Sequence, residues 1–119
     1  MHSDPKPDDL LPLPPATFHI LLSLAVEDRH GYAIIQDVAT RTSGAVKLSA
    51  GTLYRSIQRM LEQDLLEELQ TRPAPEDDDE RRRYYRITPF GEAVARAEAR
   101  RLTSLVKLAK ATGLVTDRA

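Results

Sequence analysis

Between Leu48 and Leu61 the chain spaces Ser49, Gly51, Thr52, Tyr54, Arg55, Gln58 and Arg59 so that a helix gathers them away from its aliphatic residues. Hydroxyls, a phenol, an amide and two guanidinium groups are donors suited to phosphate oxygens and to the base edges of a major groove. The other face carries Leu53, Ile57, Met60 and Leu61 at helical spacing, which predicts contact with a core. Ser49 is the expected N-cap, its hydroxyl accepting from a backbone N–H of the first turn. From Val46 to Leu61 the basic residues Lys47, Arg55 and Arg59 stand without a single acid. A basic amphipathic helix is often only a solvated surface helix, so its meaning depends on its flanks.

Downstream, Glu67 to Thr71 reads as a short strand, with Leu69 its strong apolar residue. A clearer strand runs from Arg83 to Thr88, setting Tyr85 and Ile87 on one face and Tyr84 and Arg86 on the other. Residues 72–82 between them are too long and polar for a tight hairpin and predict a mobile tip. Its charges are segregated: the acids Glu76 to Glu80 precede Arg81, Arg82 and Arg83. Either the loop neutralises itself in solvent, or the arginines face a phosphate backbone while the acids point away. Upstream, Ala16 to Asp28 forms a helix so rich in Phe18, Ile20, Leu21, Leu22, Leu24, Ala25 and Val26 that burial on several sides is expected. Gly31 breaks it, Tyr32 to Thr42 forms a second helix through Ile34, Ile35, Val38 and Ala39, and Ser43-Gly44 ends that one. Helix, helix, groove-type helix, strand, strand and helix is the order of a winged helix-turn-helix.

Three segments in this order carry a family resemblance: His30-Gly31-Tyr32, Leu48-Ser49-Ala50-Gly51-Thr52-Leu53-Tyr54 and Tyr85-Arg86-Ile87-Thr88-Pro89-Phe90-Gly91. Together they resemble the signatures of PadR-like transcriptional regulators, over a span from about Pro15 to the C-terminal helix. The resemblance implies a dimeric winged-helix DNA-binding protein of bacterial type, usually a repressor. It places Ser49, Gly51, Thr52, Tyr54 and Arg55 at positions where the family meets DNA. Two features depart from the pattern. Asp64 stands where glycine is common, although aspartate also adopts the left-handed conformation of a helix cap. The acidic run of the wing tip is also heavier than usual.

Thr88 and Pro89 form an N-cap and first helical position, and no strong breaker follows until Gly113. That predicts a helix of about 24 residues, roughly 36 Å long. Phe90, Val94 and Ala97 are expected to pack on the domain, while Leu102, Leu105, Val106, Leu108 and Ala109 overhang it. An overhanging apolar stripe calls for a partner, and a homodimer is the expected one. Phe18, Leu22, Leu102, Leu105, Val106 and Ala109 are the candidate dimer interface. The seam where Phe18, His19 and Leu22 meet Leu102 and Leu105 is where a small-molecule effector would sit; the sequence names no such effector.

The whole-chain numbers set bounds. The 119 residues suffice for one domain with a modest core. The formal net charge of −1 conceals a segregation, with acids gathered at Asp4 to Asp9, Glu62 to Glu68 and Glu76 to Glu80. Without cysteine there is no disulfide or thiolate site. No signal sequence or membrane-spanning apolar run appears, so a cytoplasmic location is expected. Residues 1–13 are rich in proline and aspartate and are expected to form a flexible arm. The winged-helix domain then spans 14–88, the dimerisation helix 89–113 and a tail 114–119.

Catalysis has little support. His2, His19 and His30 lack helix-spaced ligand partners, and His30 is expected to help terminate the first helix. No phosphate loop or nucleophile elbow is present, and neither cofactor nor metal is expected. The fold class expected is mainly α with a small β-hairpin, a winged helix-turn-helix plus a long C-terminal dimerisation helix. Its expected role is to bind a two-fold symmetric operator in double-stranded DNA, through Lys47, Ser49, Gly51, Thr52, Tyr54, Arg55, Arg59, Arg81, Arg82 and Arg83. The rival class is a winged helix used only for protein–protein contact. Such a module has no reason to keep its third helix free of acids.

Overall fold

The computed structural model describes residues 5–69 and 83–116. Four helices, α1 (Pro15–Val26), α2 (Gly31–Arg41), α3 (Ala50–Glu62) and α4 (Pro89–Ala111), surround a small sheet. Its strands are β1 (Arg29–His30), β2 (Leu66–Glu68) and β3 (Tyr84–Ile87). The sheet is antiparallel in the order β1-β3-β2, with Arg29 opposite Tyr85 and Leu66 opposite Ile87. The architecture is a winged helix with a long C-terminal helix, as expected, and the wing strands alternate as read: Tyr85 and Ile87 are buried while Arg86 is exposed.

One core joins the four helices to β2 and β3. Ile20, Leu21 and Leu24 of α1, Ile34 and Val38 of α2, and Leu53, Ile57 and Met60 of α3 meet Leu65, Leu66, Tyr85, Ile87 and Val94. Burying each Leu or Ile side chain contributes about 1.5–3 kcal/mol relative to exposure. This cluster fixes the exposed side of α3. Leu61 is half-buried at the edge of the cluster.

The junction between α3 and α4 is the tightest point of the fold. Asp64 takes the left-handed conformation, with φ of 61°, as the cap position demands. Thr88 caps α4 by accepting from the Gly91 N–H at 2.9 Å, and its hydroxyl donates to the Asp64 carbonyl at 2.6 Å. A Cβ at Gly91 would overlap the Leu65 carbonyl oxygen, so α4 approaches this turn as closely as only glycine allows.

Several details differ from the sequence reading. The first wing strand begins at Leu66 rather than Glu67, because Leu66 is buried opposite Ile87 and supplies the apolar residue of the pair. Gln70 and Thr71 of the expected strand lie outside the described residues. The two-residue β1 is a third strand that no periodicity announces. His30 does not terminate α1; it is the N-cap of α2, its Nδ1 accepting from the Ala33 N–H at 3.1 Å. The α1 terminus is served instead by Arg29, whose Nε donates to the Ser23 carbonyl at 3.2 Å.

The arm expected to be flexible is packed where it is described. Pro7–Leu10 forms a 3-10 turn, Leu10 and Leu11 lie against the core, and Leu13 is buried. The Leu13 N–H donates to Glu98 Oε2 of α4 at 2.8 Å. Glu98 is 2% exposed and also bonds Arg101. The Arg101 guanidinium, then the Leu13 N–H, hold its carboxyl below the usual range against a burial effect that pushes it up. A buried carboxylate thus adds a hydrogen bond to the apolar contacts of Leu10, Leu11 and Leu13 that hold the arm.

Candidate nucleic-acid interface

The exposed side of α3 is built from its first turn. Ser49 caps the helix, its Oγ accepting from the Thr52 N–H at 3.1 Å and donating to Thr52 Oγ1 at 3.1 Å. Leu53, Ile57 and Met60 anchor the opposite side in the core. What remains outward is Gly51, Tyr54, Arg55, Gln58 and Arg59, with Thr52 half-buried and Lys47 exposed just before the helix. The structure therefore brings Lys47, Ser49, Gly51, Thr52, Tyr54, Arg55 and Arg59 onto one element and its leading turn.

Glycines set two of these side chains. A Cβ at Gly31 would stand 2.6 Å from the Tyr54 hydroxyl, so the phenol is laid over the start of α2. The His-Gly-Tyr and Ser-Ala-Gly-Thr-Leu-Tyr segments, distant in sequence, meet at this contact. A Cβ at Gly51 would lie 3.2 Å from Arg55 Nη1, so Arg55 folds back along the helix across a position kept bare.

Among the described residues most arginines of the scaffold are paired, although Arg100 and Lys107 on α4 are not. Arg29, Arg41, Arg86, Arg96 and Arg101 each meet a carboxylate, Arg86 reaching Asp28 at 2.8 Å. Among the described residues, Lys47, Arg55 and Arg59 meet none. The nearest acid along α3 is Glu62, which Gln58 engages through its Nε2 at 3.4 Å. Cations left unneutralised on one helix are available to a polyanion. Arg83, at the start of β3, is exposed and lies 3.6 Å from Glu68, so its charge is partly shared. Arg81 and Arg82, with the acids Glu76 to Glu80, lie outside the described residues.

Sequence reasoning missed one wall of the site. Pro14 and Thr17 of the arm and α1 border a cleft whose other side is Thr52, Arg55, Ser56 and Arg59. No local pattern signals it, because the two walls come from segments far apart in the chain.

The candidate dimer surface is also visible. Nothing on α4 beyond Arg101 is buried; Leu105 is 48% exposed, and Leu102 and Ala109 are half-buried. The apolar excess of α1 is not absorbed by its own domain either, since Leu22 and Val26 are exposed and Phe18 is half-buried. An apolar groove of 320 Å3 runs between the two helices, lined by Leu22, Ala25, Ile87, Ala95 and Ala99 with Glu92 and Arg96. Of the residues expected around an effector, only Leu22 lines it; the groove lies nearer the sheet, where Ala95 and Ala99 leave space. Among the described residues no helix is long and apolar enough to cross a membrane.

Residues 20–97 match the Transcriptional regulator PadR-like family. A protein of Lysinibacillus sphaericus, itself uncharacterised, is 36% identical over 75 residues, which is 62% of this chain and 66% of that relative. A transcriptional regulator from Clostridium thermocellum superposes with a TM-score of 0.69 at 23% identity, covering 80% of this chain and 86% of its own. A PadR family transcription regulator from Clostridium difficile also gives 0.69, at 22% identity, covering 82% and 96%. At these identities the structural likeness speaks for the fold.

Proposed function

The chain belongs to the PadR-like family of transcriptional regulators, which are not enzymes, and from that premise we propose that it binds operator DNA as a homodimer and represses transcription. The observation that carries this reading is the exposed face from Lys47 to Arg59, which holds no acid and where Lys47, Arg55 and Arg59 have no carboxylate partner among the described residues. In a winged helix such a face enters the major groove while α2 braces it and the wing reaches the flanking backbone. Two copies joined through the open faces of α1 and α4, by Phe18, Leu22, Leu102, Leu105, Val106 and Ala109, present two such helices to inverted half-sites. A bound dimer excludes polymerase from a promoter, and a cytoplasmic location goes with that role.

An electrophoretic shift with the promoter fragments of the chain's own and adjacent genes tests this at low and moderate salt. Retardation that collapses between about 50 and 200 mM salt is expected of a phosphate-binding face. A chain that retards no fragment at low salt is instead a protein-contact module.

The wing contributes separately. Alanine at Arg81, Arg82 and Arg83 should weaken binding to all sequences alike, and flatten the dependence of log K on log salt by about 0.9 for each phosphate no longer neutralised. An unchanged slope would mean that these arginines serve only to neutralise Glu76 to Glu80.

A further inference from the structure

The cleft between the N-terminus of α1 and α3 has a volume of about 190 Å3 and is lined by Pro14, Thr17, Thr52, Arg55, Ser56 and Arg59. Separate observations describe its walls. α1 starts at Pro14-Pro15 with no side-chain cap, and the Ala16 and Thr17 N–H groups of its first turn meet no acceptor among the described residues. The aligned dipoles of that helix favour negative charge at the same place.

Thr17 itself is only 4% exposed, yet its hydroxyl has no hydrogen-bond partner among the described residues. Two other threonines, the α2 C-cap Thr42 and Thr103 of α4, turn their hydroxyls onto the backbone instead. Thr42 and Thr103 each donate to a carbonyl one turn back, at 2.8 and 2.9 Å. Among the described residues the enclosed hydroxyl without a partner is that of Ser23; the Thr17 hydroxyl instead opens onto the cleft and is free to donate to what enters it. Across the cleft stand Arg55 and Arg59, two guanidinium groups that meet no carboxylate among the described residues.

Resting on the DNA-binding reading above, we infer that this cleft seats one backbone phosphate of duplex DNA, beside the groove that α3 enters. The Ala16 and Thr17 N–H groups and the Thr17 hydroxyl donate from one wall, and the Arg55 and Arg59 guanidinium groups from the other. α1 is then a second DNA-contacting element. Arg55 and Arg59 anchor the helix on the backbone, and base discrimination falls to other exposed positions of α3.

A short duplex of arbitrary sequence is a sufficient probe, since a phosphate contact carries no sequence information. Binding is measured across about 50 to 200 mM salt for the wild type, Thr17→Val, Thr17→Ser, Arg59→Ala and the Thr17→Val/Arg59→Ala pair. Thr17→Val keeps the shape and should bind about ten-fold more weakly, the effect of removing one hydrogen bond to a charged group, with an unchanged salt slope. Thr17→Ser should restore binding. Arg59→Ala should flatten the slope by about 0.9. The pair should weaken binding by less than the product of the two single effects, because both groups hold one phosphate. Melting temperatures confirm that each variant is folded, and Thr17→Ala replaces Thr17→Val if the valine disturbs packing. A wild-type affinity in the folded hydroxyl-free variant, or single effects that multiply in the pair, would overturn the inference while leaving DNA binding intact. Failure of the wild-type chain itself to bind would overturn the DNA-binding reading and this cleft with it.

Discussion

Leu105→Asp is expected to remove the operator footprint without removing all affinity for DNA. Leu105 is 48% exposed in the single chain, so the change costs the isolated domain little. In a dimer joined along α4 the new carboxylate would be enclosed among Leu102, Val106 and Ala109 of an apolar seam, at a cost of several kcal/mol. The protein should sediment as a monomer, or aggregate through its uncovered faces. Each monomer keeps the α3 face and its non-specific affinity. One winged helix reads too few base pairs to single out a site among the competing sequences of a genome, so site-specific protection should vanish. A variant that stays dimeric and still protects both half-sites would place the interface elsewhere, with α1 as the remaining candidate.

The second large effect belongs to Arg55. Its side chain projects from the face opposite Leu53, Ile57 and Met60 and makes no ion pair among the described residues. Arg55→Ala should leave the melting temperature almost unchanged and eliminate operator retardation at concentrations that saturate the wild type. Removing a charge-assisted contact to a phosphate costs about 1.5–3 kcal/mol in each half-site, and a dimer suffers it twice. Operator binding at wild-type strength would show that α3 does not face the DNA.

The helices are legible in the sequence because each has a strong apolar period and chemical punctuation at its ends. Ser49 and Thr88 cap where their hydroxyls suggest, and the sequence reading of α2 and α4 falls within a residue or two of Gly31–Arg41 and Pro89–Ala111. The apolar excess of α1 is legible too, but hydrophobicity alone does not say which face meets its own domain, where Ile20, Leu21 and Leu24 are buried, and which stands open, as Leu22 and Val26 do. Two residues of β1 carry no period at all. Glu98 is the clearest failure of pattern reasoning. In sequence it is one acid on a charged helix, and only the fold shows it holding the Leu13 N–H in the interior. Sequence also sets His30 at the wrong helix end, since the stop signal of one helix and the cap of the next lie side by side there. The cleft bounded by Thr17 and Arg59 is illegible for the same reason as the Glu98 contact: both are tertiary pairings between segments that share no local rhythm.

The central claim is a dimer that sets α3 of each copy into a major groove on one face of the DNA. Nuclease footprinting of the wild-type chain on the promoter fragment it retards tests that claim most directly. The prediction is protection of two inverted half-sites whose centres lie about one helical turn, roughly 34–36 Å, or a multiple of it apart. Protection of a single unrepeated segment, or of no segment at concentrations that retard the fragment, would contradict it.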